Sequence, residues 1–283
     1  MRILIIGSNG LLGSDLVADW TGDVVISATS SDADIREIEQ VRQLVASEHP
    51  DWIILAAGYT DVDGSERNPD LAFAVNRGGT KNVSVVAREL GAKLCYLSTD
   101  YVFDGTATRP YEPEDAVRPL NVYGASKAAG EKAVQEQACH WLIARTSWLF
   151  GAARVSFPEK ILLTANSQPE LKVVADQIGS PTYTKDLATA IRDLVRSDAH
   201  GILNITNSGT CSWFEFAKET LRRSGRSTLI SPITSAEAGR PARRPAYSVL
   251  SPKALASHGI AMRGWQEALD AYLGNLRRKG KPH

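Results

Sequence analysis

Short, continuously apolar runs alternate with amphipathic stretches through the first half of the chain, and no other feature restricts its fold as strongly. Runs such as RILIIG and DWIILAAG are typical of strands that are covered on both faces of a sheet. Between them lie stretches such as DIREIEQVRQLVASEHP, whose apolar residues recur at helical spacing and which ends in proline. Parallel strands need crossover connections, so the alternation predicts an α/β fold with a doubly wound, Rossmann-like parallel sheet.

A glycine-rich turn joins the first predicted strand to the first predicted helix. The stretch GSNGLLG places three glycines at a spacing of three residues. Glycines at such a turn let the backbone approach a pyrophosphate, whose charge is met by free N–H groups at the start of the helix. The spacing differs from the G-x-G-x-x-G fingerprint of dehydrogenases, and a turn with a purely structural role is the alternative. We expect a dinucleotide-binding segment that consists of Gly7, Ser8, Asn9, Gly10, Leu11, Leu12 and Gly13.

The stretch ISATSSDAD, where the second strand is expected to end, bears on which dinucleotide is bound. An acidic residue at that end would bind the ribose hydroxyls of NAD and repel the 2′-phosphate of NADP. Ser30 and Ser31 stand there instead, with Asp32 and Asp34 a little later, which favours NADPH. No arginine is expected there to bind the phosphate, so NADH stays an alternative cofactor.

A tyrosine and a lysine four residues apart, Tyr123 and Lys127, occur in the stretch NVYGASKAAGEKAV. On a helix the two side chains share one face. A ketone that accepts a hydride also needs a proton, and a phenol can supply it when it is held in place. The lysine is expected to lower the pKa of the phenol from about 10 toward neutral pH and to hold the nicotinamide ribose. The spacing also arises by chance, so the pair alone does not establish an active site.

Two hydroxyl residues, Ser98 and Thr99, end the predicted strand AKLCYLST. Open α/β sheets bind ligands at the carboxyl ends of their strands. Either hydroxyl could therefore donate a hydrogen bond to a substrate carbonyl, although capping of the strand end is an alternative role.

The alternation weakens after Phe150, where prolines become frequent and the predicted elements shorten. The later stretches YTKDLATAIRDLVRS and GILNITNSG are still typical of a helix and a strand that return to the main sheet. We therefore predict two domains that are discontinuous in sequence. The dinucleotide-binding domain is expected to comprise residues 1–150 and 183–206, and a smaller, irregular α/β substrate domain residues 151–182 and 207–283.

The composition argues against several classes of partner. The 32 basic and 32 acidic side chains cancel, whereas binding to nucleic acid or to an acidic membrane usually rests on clustered positive charge. No apolar run is long enough to span a bilayer. The cysteines Cys95, Cys139 and Cys211 are far apart, which fits reduced thiols in the cytoplasm and gives no metal-ligand spacing. We expect a cytoplasmic protein that binds no nucleic acid, membrane or metal.

The glycine turn, the strand-end hydroxyls and the Tyr-x-x-x-Lys pair follow one another as they do in the short-chain dehydrogenase/reductase superfamily. The length and the proline-rich second half resemble its extended branch, whose members act largely on nucleotide sugars. More specifically, the chain resembles the dTDP-4-dehydrorhamnose reductase family from Met1 to about Leu255. The stretches that carry this resemblance are STDYVFDG, PLNVYGASKAAGEKAV, RTSWLFG, ADQIGSPTYTKDLA and RPAYSVLSPKAL.

The resemblance implies roles for the residues around the reacting carbonyl. Thr99 would polarise the C4 carbonyl of the sugar, with Asp100 beside the sugar ring. Tyr123 would be the proton donor and Lys127 the residue that tunes it, and both would also contact the cofactor. Trp148, in RTSWLFG, would line the sugar pocket, with packing in the core as the alternative.

The resemblance also implies contacts with the rest of the cofactor. Two segments would lie against its adenosine portion and its other flank; they are, respectively, Asp34 with Ile35, and Ala57, Gly58, Tyr59 and Thr60.

Two departures from the family pattern fall near the cofactor side. Gly58 stands where an alanine is usual, and Gly64 is expected to interrupt a stretch that is normally more helical. Some members of the family form dimers around a magnesium ion, so a homodimer is one expectation for this chain. No ligands for such an ion can be placed near the end of the chain, and no metal is predicted.

The sequence therefore predicts an enzyme that uses NADPH, or NADH, to reduce the C4 ketone of the dTDP-sugar dTDP-4-dehydro-L-rhamnose to dTDP-L-rhamnose. Another nucleotide 4-keto-sugar reductase is an alternative, because the second domain would select the sugar. A non-enzymatic alternative is the cofactor-binding regulatory subunit of methionine adenosyltransferase, which resembles this family. An epimerase or dehydratase of the same branch is the third; dehydratases resemble the pattern Thr-Asp-Glu, whereas this chain has Thr99, Asp100 and Tyr101.

Overall fold

The structure, a computed structural model, describes residues 1–278. Its strands are β1 (Arg2–Ile6), β2 (Val24–Ala28), β3 (Trp52–Leu55), β4 (Lys93–Thr99), β5 (Trp141–Thr146), β6 (Leu149–Phe150), β7 (Glu170–Val174), β8 (Ile178–Gly179), β9 (Thr182–Tyr183), β10 (Gly201–Asn204), β11 (Cys211–Ser212) and β12 (Leu229–Ile233). Its α-helices are α1 (Gly13–Asp19), α2 (Ile38–Glu48), α3 (Val62–Arg67), α4 (Pro69–Phe73), α5 (Thr80–Leu90), α6 (Val122–Gln137), α7 (Phe157–Ala165), α8 (Thr184–Arg196), α9 (Trp213–Arg223), α10 (Ser235–Ala238), α11 (Lys253–Ala256) and α12 (Trp265–Arg278). Among these helices none combines the length and the apolar character needed to cross a bilayer.

The main sheet of the described residues has six parallel strands in the order β10-β5-β4-β3-β1-β2. From β1 the chain adds β2 on one side and then crosses to β3, β4 and β5 on the other side. In open α/β sheets ligands bind at such a switch point, outside the carboxyl ends of the strands. The predicted doubly wound parallel sheet is confirmed.

Helices cover both faces of this sheet, which explains why its strands are apolar without alternation. In β1, Ile3 and Ile5 belong to one apolar core, together with residues of α1 and α8. Leu4 and Ile6 belong to the core on the opposite face, together with residues of α2 and α5. All four side chains are buried.

A further apolar core forms mainly from the second half of the chain, where α7, α9 and α12 surround a cluster of aromatic rings. Phe150 and Tyr183, at the predicted domain boundaries, pack into it, whereas Leu255 of α11 packs into the main sheet's core. We propose the predicted division into two domains, with the segment around Leu255 docked on the first. Residues 279–283 of the predicted second domain lie outside the described residues.

The largely apolar stretch WLIARTSWLF is typical of one strand, but in the structure it is interrupted. β5 ends at Thr146, and β6 pairs with β9 away from the main sheet. Between them Trp148 adopts a left-handed backbone conformation with φ at 49°, which is rare for a bulky residue. A Cβ added to Gly179 would lie 2.4 Å from the Trp148 ring, so glycine at that position makes room for the indole.

The stretch DLAFAVNRGGTKNVSVVARELG is typical of one helix that ends with a glycine, but in the structure it is not a continuous α-helix. A π-helical turn at Ala74–Gly79 separates α4 from α5. The preceding helix α3 was not predicted, and the expectation that Gly64 interrupts helical structure is wrong, because Gly64 lies inside α3. Its N–H donates to Asp61 Oδ1 at 2.8 Å, and a Cβ there would lie 2.3 Å from Asp61 Oδ2, so glycine permits this close cap.

Candidate active site

A cleft of about 680 Å³ lies at the carboxyl ends of β1, β3, β4 and β5. It brings together most of the predicted site residues, which come from distant parts of the sequence. Those that line it are Gly7, Asn9, Gly10, Leu11, Leu12, Asp34, Ile35, Ala57, Gly58, Thr60, Thr99, Asp100, Tyr123, Lys127 and Trp148. Three predicted residues are absent from the lining: Ser8, Gly13 and Tyr59.

The glycine-rich turn is set by close approaches of backbone to backbone. Gly7 has φ at 91°, and a Cβ on it would lie 2.6 Å from the Ala57 nitrogen. A Cβ on Gly13 would lie 2.0 Å from the Gly7 carbonyl oxygen. Both positions therefore require glycine, and Gly13 serves the fold of the turn rather than lining the cleft. The result is a strip of bare backbone at the cleft wall that a flat or anionic ligand group can approach closely.

The segment that follows β2 brings an acidic and a basic side chain to the cleft. The carboxylate of Asp32 accepts bonds from the Thr29 N–H and hydroxyl, both at 2.8 Å, so it belongs to the loop. Asp34 lines the cleft, and Arg36 beside it donates to its carboxylate, with Nε–Oδ1 at 3.0 Å. This guanidinium holds the pKa of Asp34 below its ordinary value. The expectation that no arginine stands at this end is wrong, because Arg36 also lines the cleft.

A buried asparagine connects one flank of the cleft to helix α6. Asn76, in the π-helical turn, exchanges two hydrogen bonds with the backbone of Tyr59, at 2.8 and 2.9 Å. Its amide also donates to the Ser126 hydroxyl at 2.9 Å, and that hydroxyl donates to the Tyr123 carbonyl at 2.7 Å. Tyr59 therefore takes part in this network through its backbone. The network connects the segment Ala57–Thr60 to the first turns of α6.

Helix α6 begins where it can present Tyr123 to the end of β4. Asn121 caps it by accepting a 2.7 Å bond from the Gly124 N–H. A Cβ on Gly124 would lie 2.1 Å from the Tyr101 carbonyl oxygen, so the helix packs directly on the backbone that follows β4. Tyr123 and Tyr101 meet edge to face at 6.0 Å between ring centres. Tyr123 and Thr99 thus line the same part of the cleft.

The protonation of the pair Tyr123 and Lys127 differs from the sequence-based expectation. Burial raises the pKa of Tyr123 to about 12, and its interaction with the Thr99 side chain opposes this only in part. Lys127 Nζ donates to the Leu97 carbonyl at 2.6 Å and lies 4.1 Å above the centre of the Tyr96 ring. Burial lowers the pKa of Lys127 to about 7, while attraction to Glu131 raises it. Lys127 therefore does not lower the pKa of Tyr123 in this structure, and at neutral pH the phenol carries its proton.

Asp100 is a buried carboxyl group at the wall of the cleft. It is 2% exposed, and burial raises its pKa to about 7 against the opposing interactions with Ser248 and Thr99. Its Oδ1 accepts a 3.0 Å bond from the Thr99 hydroxyl. Its Oδ2 has no hydrogen-bond partner among residues 1–278. A buried polar atom without a partner is costly, so this oxygen is suited to bind a hydroxyl group of a ligand.

Trp148 both packs in the second core and lines the cleft, so the two roles considered for it are compatible. Its indole stacks on Trp213 of α9, with ring centres 3.6 Å apart. The indole Nε1 of Trp148 is buried and has no acceptor in the described part of the chain. The cleft-lining role of Trp213 was missed, because nothing in the helical pattern of α9 separates it from a core aromatic.

A buried ion pair decides which strand-end hydroxyl is available. The Ser98 hydroxyl donates to Glu131 Oε1 at 2.5 Å. Arg145 of β5 donates to both oxygens of the same carboxylate, at 2.9 and 2.7 Å. The hydroxyl of Ser98 is therefore committed to this pair, and Thr99 is the hydroxyl that can serve a ligand. Glu131 follows Lys127 by one helical turn, and attraction to its carboxylate raises the pKa of the lysine.

Comparison with known proteins gives consistent relatives over the whole described length. The family model "RmlD substrate binding domain" matches residues 1–278. A "dTDP-4-dehydrorhamnose reductase" of Sinorhizobium fredii is 36% identical and matches over 99% of each chain. A "dTDP-4-keto-6-deoxy-D-glucose reductase" of Streptomyces niveus is 37% identical over 95% of each chain. The crystal structure of dTDP-4-dehydrorhamnose reductase from Bacillus anthracis in complex with NADP superposes with a TM-score of 0.95 at 38% identity, over 97% of this chain and 99% of that one.

Proposed function

The chain belongs to the family of the RmlD substrate-binding domain, and from this premise we propose that it is an NAD(P)H-dependent oxidoreductase that reduces the C4 ketone of dTDP-4-dehydro-L-rhamnose to dTDP-L-rhamnose. The observation that carries the proposal is that one cleft gathers the glycine turn, Thr99, Tyr123 and Lys127 at the carboxyl ends of the strands. NADPH is the preferred cofactor of the proposal and NADH the alternative. The relative from Bacillus anthracis, whose structure was determined with NADP, supports this preference.

The residues of the cleft fit a dinucleotide. Gly7 lines the cleft without a side chain, because a Cβ on it would lie 2.6 Å from the Ala57 nitrogen, and a turn without side chains is what the close approach of a pyrophosphate requires. When bound, the reduced nicotinamide supplies a hydride to the carbonyl carbon. We propose that Asp34 and Ile35 contact the adenosine portion, and that Ala57–Thr60 and Lys127 contact the remainder, Lys127 through its amine.

Tyr123 delivers the proton in the proposed reaction. Reduction of the ketone places negative charge on the C4 oxygen, and that oxygen must gain a proton as the hydride reaches the carbon. With its pKa raised to about 12, the phenol is fully protonated at neutral pH and ready to donate. The Thr99 hydroxyl, which donates to Asp100 Oδ1 in this structure, can donate to the same C4 oxygen instead and polarise it.

Two unpartnered polar groups suit the sugar ring. Asp100 Oδ2 can only accept a hydrogen bond while the carboxyl group is ionised, and Trp148 Nε1 can only donate one. A sugar hydroxyl does both, so these two atoms would orient the ring with its ketone toward Tyr123. We assign substrate binding to Thr99, Asp100 and Trp148 on this basis.

The adenosine end supports the use of either cofactor. Asp34 is suited to accept a bond from the 2′-hydroxyl of NADH, and Arg36 is suited to bind the 2′-phosphate of NADPH. In this structure the two side chains neutralise each other. A cofactor with the phosphate would therefore draw Arg36 from Asp34, and one without it would leave the ion pair in place.

A second candidate is reduction of another nucleotide 4-keto-sugar, which the similarity to the Streptomyces niveus protein favours. The chemistry of Tyr123 would be the same, and the shape of the pocket would select the sugar. The two candidates are separated by steady-state kinetics with both dTDP-4-keto-sugars. We expect the higher kcat/KM with dTDP-4-dehydro-L-rhamnose, and a preference for the other sugar would assign the second function.

The direct experiment supplies purified protein with dTDP-4-dehydro-L-rhamnose and follows the loss of NADPH, then of NADH, by absorbance. Turnover with at least one of them is expected. No turnover with either, together with a stable complex with another protein, would contradict the proposal and support the non-catalytic regulatory role. Tightly retained NAD in the purified protein would instead support an epimerase or dehydratase.

Location and assembly complete the proposal. The cysteines Cys95, Cys139 and Cys211 are free thiols, which supports a cytoplasmic location. Within residues 1–278 no group of three or more His, Cys, Asp and Glu side chains is placed to hold a metal ion. The homodimer and the absence of a nucleic-acid partner stay predictions from the sequence.

A further inference from the structure

The side chain of Arg154 extends from the predicted second domain to the glycine-rich turn. It lies in the loop between β6 and α7, and both its Nε and its Nη2 donate to the Asn9 carbonyl oxygen, at 3.2 and 3.0 Å. The side chain is exposed and lines the same cleft as Gly7, Gly10 and Leu11. The guanidinium group of Arg154 is therefore held against the glycine-rich turn, to which we assign cofactor binding, although Arg154 itself belongs to the predicted second domain.

The charge of Arg154 is not matched by a carboxylate. Among residues 1–278 no Asp or Glu oxygen lies within 4.0 Å of its guanidinium nitrogens, whereas Arg36, the other arginine of the cleft, is paired with Asp34. The carboxylate of Asp15, at the start of α1, accepts a 2.6 Å bond from the Thr184 hydroxyl. A carbonyl oxygen orients a guanidinium group but does not neutralise it. The wall of the cleft at Asn9 thus keeps a positive charge.

The guanidinium group also has donors to spare. Arginine carries five N–H donors in a planar fork. Two of the three nitrogens are used on Asn9, and the described residues offer Nη1 no acceptor. A planar fork with free donors matches the geometry of phosphate oxygens and binds them with short, charge-assisted bonds.

We propose that Arg154 binds the pyrophosphate of the dinucleotide cofactor. This inference rests on one part of the proposed function, namely that the cleft binds a dinucleotide; it does not depend on the identity of the sugar. The glycine-rich turn itself contains no basic side chain, from Gly7 to Gly13, and α1 behind it has only seven residues. Besides the N–H groups of the turn, a positive charge next to the pyrophosphate would therefore come from Arg154 in the loop between β6 and α7.

This arrangement couples cofactor binding to the second domain. The loop that carries Arg154 begins directly after β6, which follows Trp148 in the chain. A cofactor held by both the turn and Arg154 would fix this loop relative to the main sheet. Arg154 acts on cofactor affinity in this account, and it has no part in proton transfer.

The test is a titration of purified full-length Arg154→Gln with NADPH and, separately, with ADP-ribose, in the absence of any sugar. The quenching of tryptophan fluorescence or calorimetry reports the Kd. Loss of a charge-assisted contact at an exposed site should weaken both ligands about tenfold, and Arg154→Lys should fall between the variant and the wild type. The matched control is Arg226→Gln, which removes a half-buried arginine of the same half of the chain that donates to Asn166 and should leave both Kd values unchanged. Equal thermal unfolding midpoints would show that the variants are folded.

Two further ligands locate the contact. Adenosine 2′-phosphate has no 5′-phosphate, and dTDP carries the diphosphate of the substrate, so Arg154→Gln should bind both as the wild type does. An unchanged Kd for NADPH would overturn the proposal, as would an equal loss for adenosine 2′-phosphate. A loss for dTDP alone would assign Arg154 to the sugar nucleotide and overturn it too. Wild-type protein that binds no NADPH would overturn both this inference and the proposed function, whereas binding without turnover of the sugar would leave this inference standing.

Discussion

Lys127 is a buried amine, and its protonation should leave a measurable mark on stability. Burial lowers its pKa to about 7 from the ordinary 10.5, against the attraction of Glu131. Between these two values the unfolded chain holds a proton on Lys127 that the native protein does not hold. The native state therefore gains stability as the pH rises through this window, by at most about 1.4 kcal/mol for each pH unit.

The substitution Lys127→Met removes this titration. The free energy of unfolding of the wild type, relative to that of the variant, should rise by about 3 kcal/mol between about pH 7 and pH 9.5. Taking the difference cancels to a first approximation the titration of the other groups near the amine, Tyr96 and Tyr123. Methionine also leaves the Leu97 carbonyl without its 2.6 Å bond, but this cost does not change with pH.

The assay is urea unfolding of the protein without cofactor, followed by tryptophan fluorescence at several pH values. The control is Lys132→Met, which removes an exposed lysine of the same helix and should give a difference that does not change with pH. A flat difference for Lys127→Met as well would refute the reasoning, because it would show that Lys127 keeps its proton across the whole window.

Three further predictions concern other parts of the site. Arg36→Ala should raise the KM for NADPH about tenfold and leave the KM for NADH within about twofold, because only NADPH has the phosphate; equal changes would contradict the assignment. Gly179→Ala places a Cβ 2.4 Å from the Trp148 ring, and it should lower the free energy of unfolding by about 1–3 kcal/mol and raise the KM for the sugar. Unfolding and kinetics identical to wild type would argue against that contact. Glu131→Gln leaves its buried arginine partner without a carboxylate and should cost about 3–5 kcal/mol in urea unfolding, and a cost below about 1 kcal/mol would exclude a buried pair.

The main sheet could be predicted because a strand that is buried on both faces of a sheet has apolar residues at every position. Ile3 to Ile6 are apolar without alternation since helices cover both sides of β1. Local periodicity carries no such signal for α3 or for the π-helical turn, which depend on contacts such as that of Asn76 with Tyr59. The break of the predicted strand at Trp148 likewise depends on Gly179, a residue 31 positions later in the sequence.

The sequence predicted which residues form the candidate site better than it predicted their pKa values. Spacing and resemblance indicated Thr99, Tyr123 and Lys127, and the structure places them around one cleft. The pKa of Tyr123 went against expectation because burial, which a sequence does not display, raises it, and the interaction with Thr99 opposes this only in part. Arg36 and Arg154 were also missed. Both are exposed arginines on loops, and the path of a loop, which decides whether its side chains reach the cleft, is not visible in the sequence.

The central claim is that Tyr123 gives the proton to the C4 oxygen, and Tyr123→Phe tests it most directly. The measurement is kcat with dTDP-4-dehydro-L-rhamnose and NADPH, together with the Kd for NADPH. We expect kcat to fall at least about a hundredfold, which is the contribution of a positioned acid, while the Kd stays within about twofold. A variant that keeps more than about a tenth of the wild-type kcat would contradict the claim, and would place the proton donor elsewhere in the cleft.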